Sequence, residues 1–338
     1  KDISKPTLLW ALPFPETFSL ASVLHLGSVL KGMGMKFSYV YGSQDDRLLM
    51  ERVSKMAMIS QLFALWSKMK VGKIGRRFTW RTMGPTDITP DELKLELSPG
   101  PSPVHIDMDE FLSLISQVSD SKAIEKIEHM RKIGKLGVVK VKESALIEAT
   151  KVYFAVKELI KKYDLDAVTI ECYPKYGGLD NVANSWLAEE GVISSCEGDL
   201  GHTALSLVLQ RLSGNPIGLL EPVKIDDHED TLILKHDGSG PPSLSSDISQ
   251  VILKPVSEEK GVTIFSAVKA GTVTLATVWG SDGRYKTSIL RGNSLGLTKD
   301  EVEDYGGGLA ARIKFEIPAR QLIDRMVECG VDHHMMLA

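Results

Sequence analysis

A chain of 338 residues, 43% apolar and 25% charged, carries enough apolar content to bury the cores of two or three domains. Its formal charge of −4 argues against a general nucleic-acid binder, and no apolar run approaches the ~18 residues that a membrane-spanning helix needs. No charged-then-apolar leader opens it, and three cysteines (Cys172, Cys196, Cys329) are the usage expected of reduced thiols in a cytoplasmic protein.

Taken in chain order, TLLWALP (7–13) reads as a buried strand, and residues 16–32 carry apolar residues at helical spacing up to a glycine. KFSYVYG (36–42) is the next strand and residues 46–69 the next helix. PVHIDM (103–108) and DAVTIEC (166–172) are further strands, with a long helix over 145–163 between them. GVISSC (191–196) and NPIGLLEP (215–222) close the series. Strands alternating with helices predict βαβ units and mainly parallel, Rossmann-like sheets. After Glu221 the texture changes: TLILKH, QVILKP, VTIFSAV, TVTLATVWG, YKTSIL and RIKFEIP are short β-branched runs between Gly, Asp and Ser. They predict a C-terminal antiparallel, barrel-like β domain, followed by one helix and the segment VDHHMMLA. The expected division is a remnant of a first α/β domain (1–71), a second α/β domain (72–220) and the β domain (221–338).

The chemistry concentrates in SSCEGDLGHTALSLVLQRLSG (194–214). Glu197 and Asp199 stand where a strand ends and a helix begins, the edge of an open α/β sheet at which ligands bind. Asp199 is also a natural N-cap, with Glu197 its solvated neighbour, and position alone leaves the two readings open. Glu221 follows one helix and one strand later, again at the end of an apolar run. In a β-α-β unit both carboxylates would reach one sheet edge, where they repel unless a cation or proton lies between them. His333 and His334 sit in VDHHMMLA, and His236 in LKHDGSGPP at a strand end. Each histidine, taken singly, reads first as structural. Two carboxylates with one or two imidazoles form a mostly hard donor set that suits Mn²⁺ or another divalent metal better than a structural zinc. No CxxC pair, GxGxxG, P-loop or GxSxG element stands at a convincing position.

SCEGDLGHTALSLVLQRLSGNPIGLLEP, then LKHDGSGPPSL, then GVDHHMMLA resemble the L-fucose isomerase and L-arabinose isomerase group, and residues 6–46 are similar to the middle of that group's first α/β domain. The resemblance implies a metal held by Glu197 of the E-x-D motif, Glu221 and His334, with His236 as a further ligand of the arabinose-isomerase kind. Asp199 and His333 are expected around the metal or the substrate; Glu171, at another strand end in TIECYP, is a candidate for the same cleft whose first reading is structural. It implies an aldose–ketose isomerase acting on a free fucose- or arabinose-like sugar: a proton leaves C2 and returns at C1 through an ene-diol, with Glu197 and Glu221 as acid and base. A bound divalent cation would stabilise the negative charge developing on O1 and O2. A homo-oligomer, trimer or hexamer, is expected by analogy. Members of the group begin with further α/β elements, so the chain, which starts at Lys1, is expected to lack that start and the substrate contacts it carries. That expectation leaves a rival, a non-catalytic sugar-binding or regulatory protein on the same scaffold. A third reading is a metal-dependent carbon–carbon lyase working through the same ene-diol.

Overall fold

In the computed structural model the chain is described over residues 6–75, 79–80, 84–85, 100–172, 175–257, 260–281, 284–305 and 308–338. It divides into two units, Lys1–Ser67 and Lys68–Ala338. In the first, β1 (Leu8–Ala11) runs parallel to β2 (Ser38–Tyr41), with Leu8 opposite Ser38. The helix expected from residue 16 starts as a 3-10 turn, Pro15–Thr17, and Phe18 at φ 48° separates that turn from α1 (Ser19–Gly32). Asp46 caps α2 (Arg47–Trp66) by accepting the Leu49 N–H at 3.1 Å.

The second unit opens with a parallel sheet of β3 (Lys70–Ile74), β4 (Ser102–Ile106), β6 (Ala167–Ile170) and β7 (Ile193–Cys196), in the order β4-β3-β6-β7. The apolar runs at 103, 166 and 191 thus form the parallel strands expected of them. The helices of this part are α3 (Met108–Gln117), α4 (Asp120–Lys132), α5 (Glu143–Tyr163) and α6 (Asn181–Glu189). Helix α5 buries Leu146, Val152, Val156 and Leu159 beside Phe111 and Trp186. At about 1.5–3 kcal/mol per fully buried large apolar side chain, such a face is the main force holding helix to sheet. Helix α7 (Leu200–Ser213) leaves the end of β7.

The remaining strands are β5 (Val138–Val139), β8 (Gly218–Asp226), β9 (Thr231–His236), β10 (Ile252–Ser257), β11 (Lys260–Ala267), β12 (Gly271–Ser281), β13 (Arg284–Ser294), β14 (Leu309–Phe315) and β15 (Met335–Leu337). They pair in the order β9-β8-β15-β12-β13-β14-β11-β10-β5, and β9 also pairs with β14. Helix α8 (Lys299–Asp304) precedes β14, and α9 (Ala319–Glu328) follows it.

Two sequence expectations change here. NPIGLLEP does not close the parallel series: β8 is antiparallel to both β9 and β15, because the extended run continues through Pro222 to Asp226 and finds its partners later in the chain. The late sheet is also mixed rather than purely antiparallel, with β11 parallel to β14 and β10 parallel to β5. Leu220, Leu232, Leu234, Leu309 and Ile313 form its core.

Candidate metal centre

Strand β7 delivers Glu197. Its neighbour β6 secures the residues on either side: the Thr169 hydroxyl donates to the Cys196 carbonyl at 3.0 Å, and the Gly198 N–H to the Ile170 carbonyl at 3.1 Å. Glu197 (φ 68°) and Gly198 (φ 69°) both adopt the left-handed conformation. A non-glycine residue takes it at a cost of about 1 kcal/mol or more, as Phe18, Asp164 and Asp230 also do. Behind the turn, Cys172, Asp180 and Cys196 form a buried cluster in which Asn184 Nδ2 donates to Asp180 Oδ2 at 2.7 Å. Burial there pushes the Asp180 carboxyl up to about 6; the Cys196 thiol is raised by its hydrogen bond with Cys172 and then by burial, while the Cys172 thiol, lowered by that same contact, is raised on balance by burial and the neighbouring carboxylates.

The large sheet supplies the other donors. Leu220 is opposite Met335 and Glu221 opposite Lys235, so the ladder brings Glu221 within one residue of the rungs next to His334 and His236. The two carboxylates therefore converge from different sheets, not along one sheet edge. Glu197, Glu221, His236 and His334 each offer one ligand atom, all within 4.8 Å of one another. His334 Nε2 is 3.5 Å from Glu197 Oε2 and 3.5 Å from Glu221 Oε1, while His236 Nε2 is 3.8 Å from Glu197 Oε1.

The two imidazoles are held in opposite senses. His334 turns Nδ1 to Asp199 Oδ2 at 2.7 Å, and its buried Nε2 has no hydrogen-bond partner. With the ring proton on Nδ1, the Nε2 lone pair faces the two carboxylates, the arrangement by which a carboxylate orients a metal-binding histidine. His236 instead accepts the Gly238 N–H on Nδ1 at 3.0 Å, which puts the proton of its neutral ring on Nε2, toward Glu197. Burial alone would raise Glu197, but His236 and His334 hold its carboxyl well below the usual range. Glu221 is lowered in the same way against its burial, by His334 first. Burial disfavours a charged His334, yet Asp199, Glu197 and Glu221 hold it well above an ordinary histidine, so a cation reaches the Nε2 lone pair by displacing a proton. A buried, unpartnered imidazole nitrogen between two ionised carboxylates fits a divalent cation.

Asp199 does cap α7, its Oδ1 accepting the His202 N–H at 2.9 Å. Its Oδ2 additionally takes His334 Nδ1 and, at 2.6 Å, His202 Nδ1. His333 stands at the rim, half exposed, with Nδ1 2.6 Å from Asp332 Oδ1 and Nε2 3.9 Å from Glu221 Oε1. Glu171 lies outside the four-residue group and packs over Gly75, where an added Cβ would meet Glu171 Oε2 at 2.5 Å. His202, Thr277 and Asp332 escape a reading of the sequence. The one signal was the spacing Asp199-x-x-His202, N-cap to third helical residue, which sets a ring above the capping carboxylate.

No protein-family model matches the chain. Over nearly its whole length it is similar to isomerases of a single sugar. The sulfoquinovose isomerase of Priestia aryabhattai is 22% identical over 354 residues, covering 98% of this chain and 75% of that protein. The sulfoquinovose isomerase of Alkalicoccus urumqiensis is 23% identical over 348 residues, covering 99% and 76%. That of Clostridium sp. (strain MSTE9) is 21% identical over 350 residues, covering 98% and 75%.

Proposed function

We propose that this chain is a metal-dependent aldose–ketose isomerase acting on a free sugar through an ene-diol. The observation that carries it is the buried His334 Nε2, unpartnered and 3.5 Å from both Glu197 and Glu221. The relatives' names supply the class, isomerase of a sugar, and add sulfoquinovose to the fucose- and arabinose-like candidates.

Glu197, Glu221 and His334 would hold Mn²⁺ or another divalent cation, with His236 as a fourth neighbour whose Nε2–H faces Glu197. When bound, such an ion supplies positive charge against the negative charge that develops on the sugar oxygens. The chain's own groups move the protons. Glu221, the more exposed of the two carboxylates at 31% against 17%, takes the C2 proton at an ionised oxygen and returns it to C1. The O2 hydroxyl proton passes to Glu197, ionised in the free site, and from it to O1, so the aldehyde becomes an alcohol and the C2 alcohol a ketone. Glu197, kept ionised by its histidines, holds the opposite side, and His333, oriented by Asp332, meets the sugar at the rim.

We keep the division of residues 68–338 near Glu221, and we read the circuit of ladders β9-β8-β15-β12-β13-β14-β9 as a closed barrel. A homo-oligomer completes the reading. A cytoplasmic home agrees with three cysteines outside any disulfide, and among the described residues no helix is long and apolar enough to cross a membrane.

The test is a turnover screen with sulfoquinovose, fucose, arabinose and related aldoses, in Mn²⁺ and in chelator, followed by NMR in D₂O. Exchange of deuterium into C1 or C2 with ketose product, abolished in Glu197→Gln, is the expected result. Sugar binding without turnover, indifferent to chelator, would select the non-catalytic reading, and a product with fewer carbons would select the lyase.

A further inference from the structure

The ring of His202 is fully buried, and each of its polar atoms is committed. Its Nδ1 is 2.6 Å from Asp199 Oδ2, and its Nε2 receives the Val278 N–H at 3.3 Å, with the Thr277 hydroxyl 2.9 Å away. An amide can only donate, so Nε2 is the acceptor and the ring proton sits on Nδ1. Asp199 Oδ2 then accepts two N–H donors, one from His202 and one from His334. A carboxylate oxygen holding two donors keeps its rotamer, and so keeps the His334 proton on Nδ1 and the lone pair on Nε2.

The sheet register shows why a histidine stands there. Strand β12 pairs with β15 through Leu275↔Leu337 and Ala276↔Met336. Two rungs further on, Val278 would face His334, but β15 starts at Met335. The Val278 N–H therefore needs another acceptor, and His202 Nε2 is that acceptor. The two rings meet edge to face, with centroids 5.4 Å apart. His202 ends the ladder, and the chain at His334 is left outside it with its side chain turned to Glu197 and Glu221.

We infer that His202 is a positioning residue for the metal centre: pinned by Val278 and Thr277, it fixes Asp199 and through it the tautomer and aim of His334. This rests on reading Glu197, Glu221 and His334 as the cation's ligands. Mn²⁺ is titrated into the metal-free full chain and followed by the EPR signal of the free ion, for the parent, His202→Phe and His202→Asn, with unfolding midpoints taken in chelator. Both variants lose the Val278 contact, but only asparagine keeps an N–H near the Nδ1 position. Removing an outer-shell partner typically costs 10–100-fold in metal affinity. The expected result is Mn²⁺ binding about tenfold or more weaker in His202→Phe and largely restored in His202→Asn, although both variants, having lost the acceptor of the Val278 N–H, unfold at similarly lowered midpoints. A His202→Phe affinity within threefold of the parent overturns the inference, as does equal weakening of both variants in step with their midpoints. A parent that binds no Mn²⁺ overturns this inference and the metal reading together, whereas a binding parent with unchanged variants overturns this one alone. Should neither variant fold, ¹⁵N-histidine NMR of the parent decides the tautomer: a protonated Nδ1 on the buried ring hydrogen-bonded to Val278 supports the inference, and a protonated Nε2 there sinks it.

Discussion

Replacing Asp199 with asparagine changes one atom in a place where three N–H groups already point at two oxygens. Oδ1 takes the His202 backbone N–H, while Oδ2 takes the ring N–H groups of His202 and His334. The amide has one acceptor and one donor. If its oxygen replaces Oδ2, the NH₂ group faces the His202 N–H and the helix loses its cap. In the opposite flip two ring donors face the NH₂ group, which is worse. The better flip costs about 1 kcal/mol for the cap and about 1–3 kcal/mol for a buried donor left without a partner. For a unit of this size about 2–4 °C is lost per kcal/mol, so a fall in midpoint of roughly 5–15 °C is expected. Differential scanning calorimetry of the metal-free parent and Asp199→Asn measures it. A fall of less than about 2 °C would refute the three-donor account of Asp199.

The opposed tautomers predict that His334→Gln abolishes Mn²⁺ binding while His236→Gln weakens it by less than tenfold, with calorimetric titration as the check. Gly308→Ala is expected to cost about 2–4 kcal/mol in urea unfolding, since a Cβ there would come within 1.8 Å of the His236 carbonyl at a residue of φ 75°. Glu190 is raised by burial, but Lys126, Lys157 and Tyr153 outweigh that and bring its carboxyl from 4.5 down to about 2. A depressed carboxylate stabilises above its unfolded value and loses that contribution as pH falls, here between about 4.5 and 2. Glu190→Gln should therefore show a shallower loss of stability than the parent across that window, and equal slopes would contradict the assignment.

Much of the architecture was visible as apolar runs, and what was hidden has specific causes. Strand β3 reads KVGKI, two lysines and a glycine, yet it lies between β4 and β6 with Lys73 buried. A Cβ at its Gly72 would come within 2.5 Å of the Leu165 side-chain tip, so the strand lies close under that leucine. Helix α6 reads NVANSWLAE and looks half polar, but Asn181, Asn184 and Ser185 are buried on internal hydrogen bonds, which periodicity cannot register. The place of β8 depends on partners at 231–236 and 335–337, and no local pattern reports them. At the site, Glu197 stands at the strand end expected of it, but Glu221 lies inside β8 rather than at its end, and position alone left the pair ambiguous until the resemblance joined them. His202 went unread, because a buried histidine shows its use only through what it touches, and here that is an amide 76 residues away.

The left-handed backbone of Glu197 places a conformational cost on a proposed ligand. Glycine would sit at φ 68° without the steric cost, but Glu197→Gly would also remove the partly buried carboxylate that His236 and His334 hold ionised. Phe18, Asp164 and Asp230 carry the same cost elsewhere in the chain, so the conformation matters most where, as proposed for Glu197, the side chain is needed as well.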